Sequence, residues 1–184
     1  TGTGVAGQET GITHGPVIGA VTHESARITV RTSGGAAVRF ELSAGENDFS
    51  DAHTSTTASA SATNDYFVTI DINGLIPRTT YYYRAILNGT AAGTLGSFRT
   101  FPEPGIAEGI FRFGFGSCQQ AADDNLSWDG PIWQHVDAAG LAFFLQTGDW
   151  GYPDKVWKSV NGFPPYFYQN VSRLQESYRT RYDP

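Results

Sequence analysis

The sequence predicts two domains, an all-β sandwich followed by the opening strand, helix and strand of an α/β domain. Three observations carry that prediction. Up to residue 100 the chain is built of short runs in which polar and apolar residues alternate with period two, separated by turn residues and containing no helical stretch. At Phe101-Pro102-Glu103-Pro104-Gly105 two prolines and a glycine interrupt regular structure, and the hydrophobic period changes beyond them. Two apolar runs then follow, one ending at Cys118 and one at Asp149, with helix-like spacing between them. That is the pattern of a right-handed parallel crossover.

Residues 1–13 are small, Gly-rich and polar, and read as an extended arm. Residues 16–21 are the first expected strand. Ala26-Arg27-Ile28-Thr29-Val30-Arg31-Thr32 alternates strictly, and Ser33-Gly34-Gly35 turns the chain into a second alternating run, Val38-Arg39-Phe40-Glu41-Leu42. Residues 47–64 are polar and rich in Ser, Thr and Ala, a loop with one weak edge strand over 54–58. A strong strand over 65–72 follows, then a turn at Gly74-Leu75-Ile76-Pro77 and a strand over 80–87. Asn88-Gly89 is a two-residue hairpin signal. Residues 94–100 complete a sandwich of six or seven strands over 14–100.

The linker covers residues 101–109 and the second domain begins at residue 110. A strand over 110–116 contains Gly114 and Gly116, small residues that let a backbone or a metal centre approach. Asp129 N-caps a helix over 131–140, with Pro131 in its first turn and Ile132, Val136 and Ala139 at helical spacing. His135 sits beside that face and reads as an exposed or partnered histidine. Residues 141–147 are nearly continuous in apolar character, which suits a parallel strand buried on both faces. A capping loop over 157–168 and a helix over 170–182 follow.

Composition narrows the function classes. A net charge of -6 gives no basic footprint for nucleic acid or an anionic membrane. No apolar run is long enough to span a bilayer as a helix, and no signal peptide is visible. The single cysteine forms no internal disulfide. Taken by composition it is a small apolar core residue, but its position at a strand end makes it a candidate ligand. Cys118, Asp149 and Tyr152 together supply a thiolate, a carboxylate and a phenolate. An all-anionic set favours a trivalent iron over zinc, which more often recruits histidine.

The run Gly74-Leu75-Ile76-Pro77-Arg78-Thr79-Thr80-Tyr81-Tyr82-Tyr83-Arg84 resembles the Leu-x-Pro-x-Thr-x-Tyr corner of fibronectin type III-like domains, with Leu75 as a core plug and a tyrosine hydroxyl returning to nearby backbone. Joined to Gly116-Ser117-Cys118-Gln119 and Gly148-Asp149-Trp150-Gly151-Tyr152, it resembles the PhoD-type alkaline phosphatases and phosphodiesterases from Thr13-His14-Gly15 to the last helix. The resemblance implies a calcineurin-like metallophosphoesterase domain after the sandwich, incomplete in this chain. It also implies catalytic Fe3+ with Ca2+, location outside the cytoplasm (secreted, periplasmic or at the cell surface), and hydrolysis of phosphate esters. Cys118, Asp149 and Tyr152 match iron ligands, and Asp149 matches the bridge to a second metal.

Two departures stand out. Trp150 replaces a tyrosine, and Gly151-Tyr152-Pro153 replaces a bulkier Ile-Tyr-Glu, which alters the loop and the substrate pocket. The family's later Asp-Asp-His, Asn and His ligands have no counterpart before Pro184. The chain is therefore expected to be the N-terminal part of a longer enzyme, inactive alone, with the remainder of the catalytic domain in the same or a second polypeptide. Two other readings are a fibronectin-like binding module without catalysis and an enzyme of the purple acid phosphatase kind. Cys118 in place of an Asp-x-His motif argues against the last.

Overall fold

The computed structural model describes residues 10–106, 109–117 and 131–148. The chain divides into two compact units near residue 107. The first unit holds eight strands: β1 Ile12–Gly19, β2 Ser25–Thr32, β3 Ala36–Ser43, β4 His53–Thr54, β5 Ala58–Ala60, β6 Phe67–Asn73, β7 Thr80–Leu87 and β8 Thr90–Arg99. They form two antiparallel sheets, one in the order β1-β2-β6 and the other in the order β4-β3-β7-β8 with β5 also on β3. This is the sandwich that the alternation predicts.

The alternation decides which side chains meet between the sheets. On β2, Ala26, Ile28 and Val30 are buried while Arg27 is exposed; on β3, Val38, Phe40 and Leu42 are buried. Val68, Ile70 and Ile72 of β6 complete the same core. The three consecutive tyrosines split as a strand requires: Tyr81 and Tyr83 point inward, and Tyr82 is half-exposed. Asn88 and Gly89 take φ values of 49° and 90° and close the β7–β8 hairpin as an inverted two-residue turn.

The expected corner is present. Leu75 is 4% exposed, and the Ile76 N–H donates to the Tyr81 hydroxyl at 2.9 Å. Thr100, which has no surface at all, ties the same corner to the last strand. Its hydroxyl donates to the Ile76 carbonyl at 2.7 Å and accepts from the Thr79 N–H at 2.9 Å.

Three local expectations change. The first strand begins at Ile12 rather than residue 16, and two register shifts around His14 absorb Pro16 at this sheet edge. The single edge strand expected over 54–58 is two short ones, because Ser55 breaks the ladder. Its side-chain hydroxyl, not a backbone carbonyl, accepts the Phe40 N–H at 2.9 Å. The last strand starts at Thr90 instead of residue 94 and carries a bulge between Ala92 and Gly96, with Gly93 at φ 75°.

Gly96 faces Tyr83 across that ladder. A methyl group on Gly96 would lie 2.3 Å from Cζ and from the hydroxyl of Tyr83. The ring is confined by Phe40 and Phe98, with centroids 6.4 and 6.2 Å away. Gly96→Ala is therefore expected to cost about 1–3 kcal/mol by overpacking, read as a lower urea midpoint with an unchanged slope. An unshifted midpoint would show that the ring has somewhere else to go.

Burial also pushes the Tyr83 phenol above its ordinary pKa. The folded state then holds that proton longer than the unfolded chain does. Stability from this group is complete below about pH 10 and is lost as pH rises through the raised folded value. Above about pH 10 the thermal midpoint should fall more steeply for the native protein than for Tyr83→Phe. Parallel curves would remove Tyr83 as the cause.

The second unit holds β9 Phe113–Gly116, α1 Pro131–Ala138 and β10 Phe143–Gln146. β9 and β10 pair in parallel. β10 was expected to be buried on both faces. Instead Leu145 is 48% exposed, and Phe113 and Phe115 on the same face are exposed too, although Phe111 lies against Phe113 and Phe143 at the other end of that face, with ring centroids 6.2 and 6.3 Å away. Gly114 and Gly116 also have a packing role. They make room for the Phe144 ring, which a methyl group on Gly114 would meet at 2.7 Å.

Candidate metal centre

The parallel register sets Phe143 beside Phe113, Phe144 beside Gly114, Leu145 beside Phe115 and Gln146 beside Gly116. One more rung lies at each end. The Ala142 N–H donates to the Arg112 carbonyl, and the Thr147 N–H donates to the Gly116 carbonyl, both at 2.8 Å. The two strands therefore stop level with each other, at their carboxyl ends, on one edge. In open α/β sheets this is the edge outside which ligands bind.

Two side chains trim that edge. The Thr147 hydroxyl donates a second bond to the Gly116 carbonyl at 3.0 Å. The Gln146 side-chain carbonyl accepts the Gly148 N–H at 3.1 Å, folding the chain back on itself just before Asp149. Gly148 has φ 143°, a conformation that suits glycine. Sequence reading passed over Gln146 and Thr147. The available signal was a pair of polar residues closing an otherwise apolar run.

Cys118, Asp149 and Tyr152, the three expected ligands, lie outside the described residues, as do Asp129, Trp150 and the expected helix over 170–182. In sequence, Cys118 is two residues beyond Gly116, and Asp149 is three beyond Gln146. His135 is exposed on α1. Among the described residues, no three His, Cys, Asp or Glu side chains gather closely enough to hold a metal ion.

Several charged groups of the sandwich are paired with one another. Glu41 accepts from Arg39 at 3.1 Å and from Arg84 at 2.8 Å. Burial pushes its carboxyl up, but the bonds from the two arginines outweigh that and hold it below the usual carboxylate range. The Arg84 guanidinium lies 4.3 Å over the Phe49 ring and so anchors the loop after β3. Arg27 and Asp71 form a bidentate pair on exposed strand faces. These contacts are structural.

Comparison with known proteins agrees with the fold. A family model described as the N-terminal domain of PhoD-like phosphatase matches residues 4–102, more than half of the chain. A solved structure of PhoD matches with a TM-score of 0.73 at 19% identity, over 94% of this chain and 35% of that one. At that identity the likeness establishes fold alone, and the chain spans about a third of the PhoD length. The sensor domain of the anti-sigma factor RsgI4 from Pseudobacteroides cellulosolvens matches 51% of the chain at 19% identity and covers 75% of its own length, with a TM-score of 0.39. No curated protein matches. The two-sheet sandwich with its tyrosine corner and the family match over residues 4–102 agree, and the chain belongs to the PhoD-like phosphatase family.

Proposed function

We propose that this chain is the N-terminal part of a metal-dependent phosphoesterase of PhoD type, which hydrolyses phosphate esters with metal-activated water. One observation carries the reading beyond family membership. β9 and β10 are parallel, and their ends are level at Gly116 and Gln146. Strands in such a pair lie about 5 Å apart, and a residue of extended chain spans at most about 3.6 Å. Two or three residues beyond the strand ends are then enough to bring a thiolate and a carboxylate to one ion. The donor set fits as well, since thiolate, carboxylate and phenolate oxygen together suit a trivalent iron.

In this reading Cys118, Asp149 and Tyr152 would hold Fe3+, with Ca2+ in the assembled site, and Asp149 would serve a second metal as well. Such metals lower the pKa of a bound water and offset charge on the leaving oxygen. Cys118 would act as a ligand and not as a nucleophile, because a thiolate bound to iron has its lone pairs engaged. Gln146 and Thr147 hold the end of β10 through Gly148, the residue before Asp149 in the sequence. The remainder of the catalytic domain, in the same or a second polypeptide, supplies the missing ligands, and this chain alone is inactive. The enzyme works outside the cytoplasm. Among the described residues no helix is long and apolar enough to cross a membrane.

The test is elemental analysis of the complete, chelator-washed protein, paired with its absorption spectrum. Near-stoichiometric iron with a thiolate or phenolate charge-transfer band is the expected result. A fully active protein carrying zinc alone, or no metal, would overturn the ligand assignment.

A further inference from the structure

The chain contains three Asn-Gly pairs, at 73–74, 88–89 and 161–162, and the last lies outside the described residues. The first two are both exposed, yet the fold treats them differently. Asn88 is held twice by one residue of β3. Its side-chain Oδ1 accepts the Ala37 N–H at 2.9 Å, and its own N–H donates to the Ala37 carbonyl at 2.9 Å. Asn73 ends β6 opposite Ser25, and its carboxamide bonds to no described residue. The space beside Gly74 is open, and a methyl group placed there would meet only the His53 ring, at 3.9 Å.

We propose that Asn73 is a site of spontaneous succinimide formation in the folded chain, and that the fold protects Asn88 from the same reaction. The Gly74 amide nitrogen attacks Cγ of Asn73 and loses its proton, and the carboxamide nitrogen leaves as ammonia. Water then opens the ring at either carbonyl, giving aspartate or isoaspartate at position 73. No oxidant or further reactant is needed. Glycine favours the attack because no side chain crowds the nitrogen. The carboxamide of Asn88 must first release the Ala37 N–H before Cγ can turn, and the free energy of one such bond corresponds to a lag of about tenfold.

The location gives the reaction a structural consequence. Isoaspartate at position 73 adds a carbon to the backbone one residue before Gly74-Leu75. The Leu75 N–H donates to the Glu24 carbonyl at 2.9 Å, and the next amide, that of Ile76, makes the Tyr81 corner bond. Lengthening the chain there displaces the core plug and its bonds together. Asn73 is therefore an ageing site beneath the tyrosine corner, and it rests on the sandwich alone and not on the proposed metal centre.

The intact chain would be incubated in mildly alkaline buffer, sampled over weeks and mapped by mass spectrometry, with isoaspartate detected by enzymatic methylation. The Asn73 peptide should convert about tenfold faster than the Asn88 peptide, and the gap should vanish in denaturant. Equal conversion in the folded chain, faster conversion at Asn88, or a gap that persists in denaturant would each overturn the proposal. Chain enriched in isoaspartate at position 73 should also melt below the unmodified chain. An unchanged midpoint would overturn the link to the corner.

Discussion

Asp149→Ala in the complete enzyme is expected to remove iron and hydrolysis together. If Asp149 bridges two metals, its carboxylate contributes to both sites. Ala supplies no donor, so Cys118, Tyr152 and the ligands from the rest of the catalytic domain are left to hold the same high charge with one carboxylate fewer. The expected loss in turnover is at least about 10²–10³-fold, the scale seen when a preorganised electrostatic partner of a reaction is removed. Iron content by elemental analysis is the independent readout, and it should fall with activity. The sandwich core lies in a separate compact unit, so its unfolding transition should be unaffected. Retained iron with near-normal turnover would sink the bridging assignment.

Leu75→Ala should be the most damaging single change at the corner of the sandwich. The side chain is 4% exposed and packs in the core cluster with Phe40, Ile72 and Tyr81. Losing a buried leucine in this way costs about 2–5 kcal/mol, depending on how far the site collapses. Tyr81→Phe removes the hydroxyl that accepts the Ile76 N–H, yet it should cost only about 0.5–1.5 kcal/mol. The reason is exposure: Ile76 is 64% exposed, so water can take over its amide, and the Tyr81 ring keeps its stacking on Phe98 at 6.0 Å. Urea denaturation of both variants decides the order. A larger loss for Tyr81→Phe would mean that the corner is held by its hydrogen bond and not by the plug.

Much of the sandwich was legible because its strands are half-buried and advertise period two. Ile28 and Val30 point inward while Arg27 points out, and a slip of one residue would reverse them. Asn88-Gly89 was legible for a related reason, since few residues tolerate two consecutive positive φ values. The site was legible only in part. The parallel pairing of β9 with β10 followed from apolar runs flanking a helical segment, and the register delivers both carboxyl ends to one edge. Cys118, Asp149 and Tyr152 came as candidate ligands from strand-end position, donor chemistry and resemblance, and lie outside the described residues; Gln146 and Thr147 came only from geometry.

What the sequence by itself determined is the principal strands of the sandwich, their inward faces and the break near residue 105. These depend on local turn chemistry and on periodicity, which neighbouring residues encode. What only the tertiary structure decided is every contact between residues distant in the chain. Ser55 interrupts an edge strand because Phe40 is there to bond its hydroxyl. Gly96 and Gly114 are small because the Tyr83 and Phe144 rings lie across them. Thr100 is buried without penalty because Ile76 and Thr79, more than twenty residues earlier, complete its hydrogen bonds. Such pairings carry no local signature, because a side chain's partner is set by the path of the whole chain.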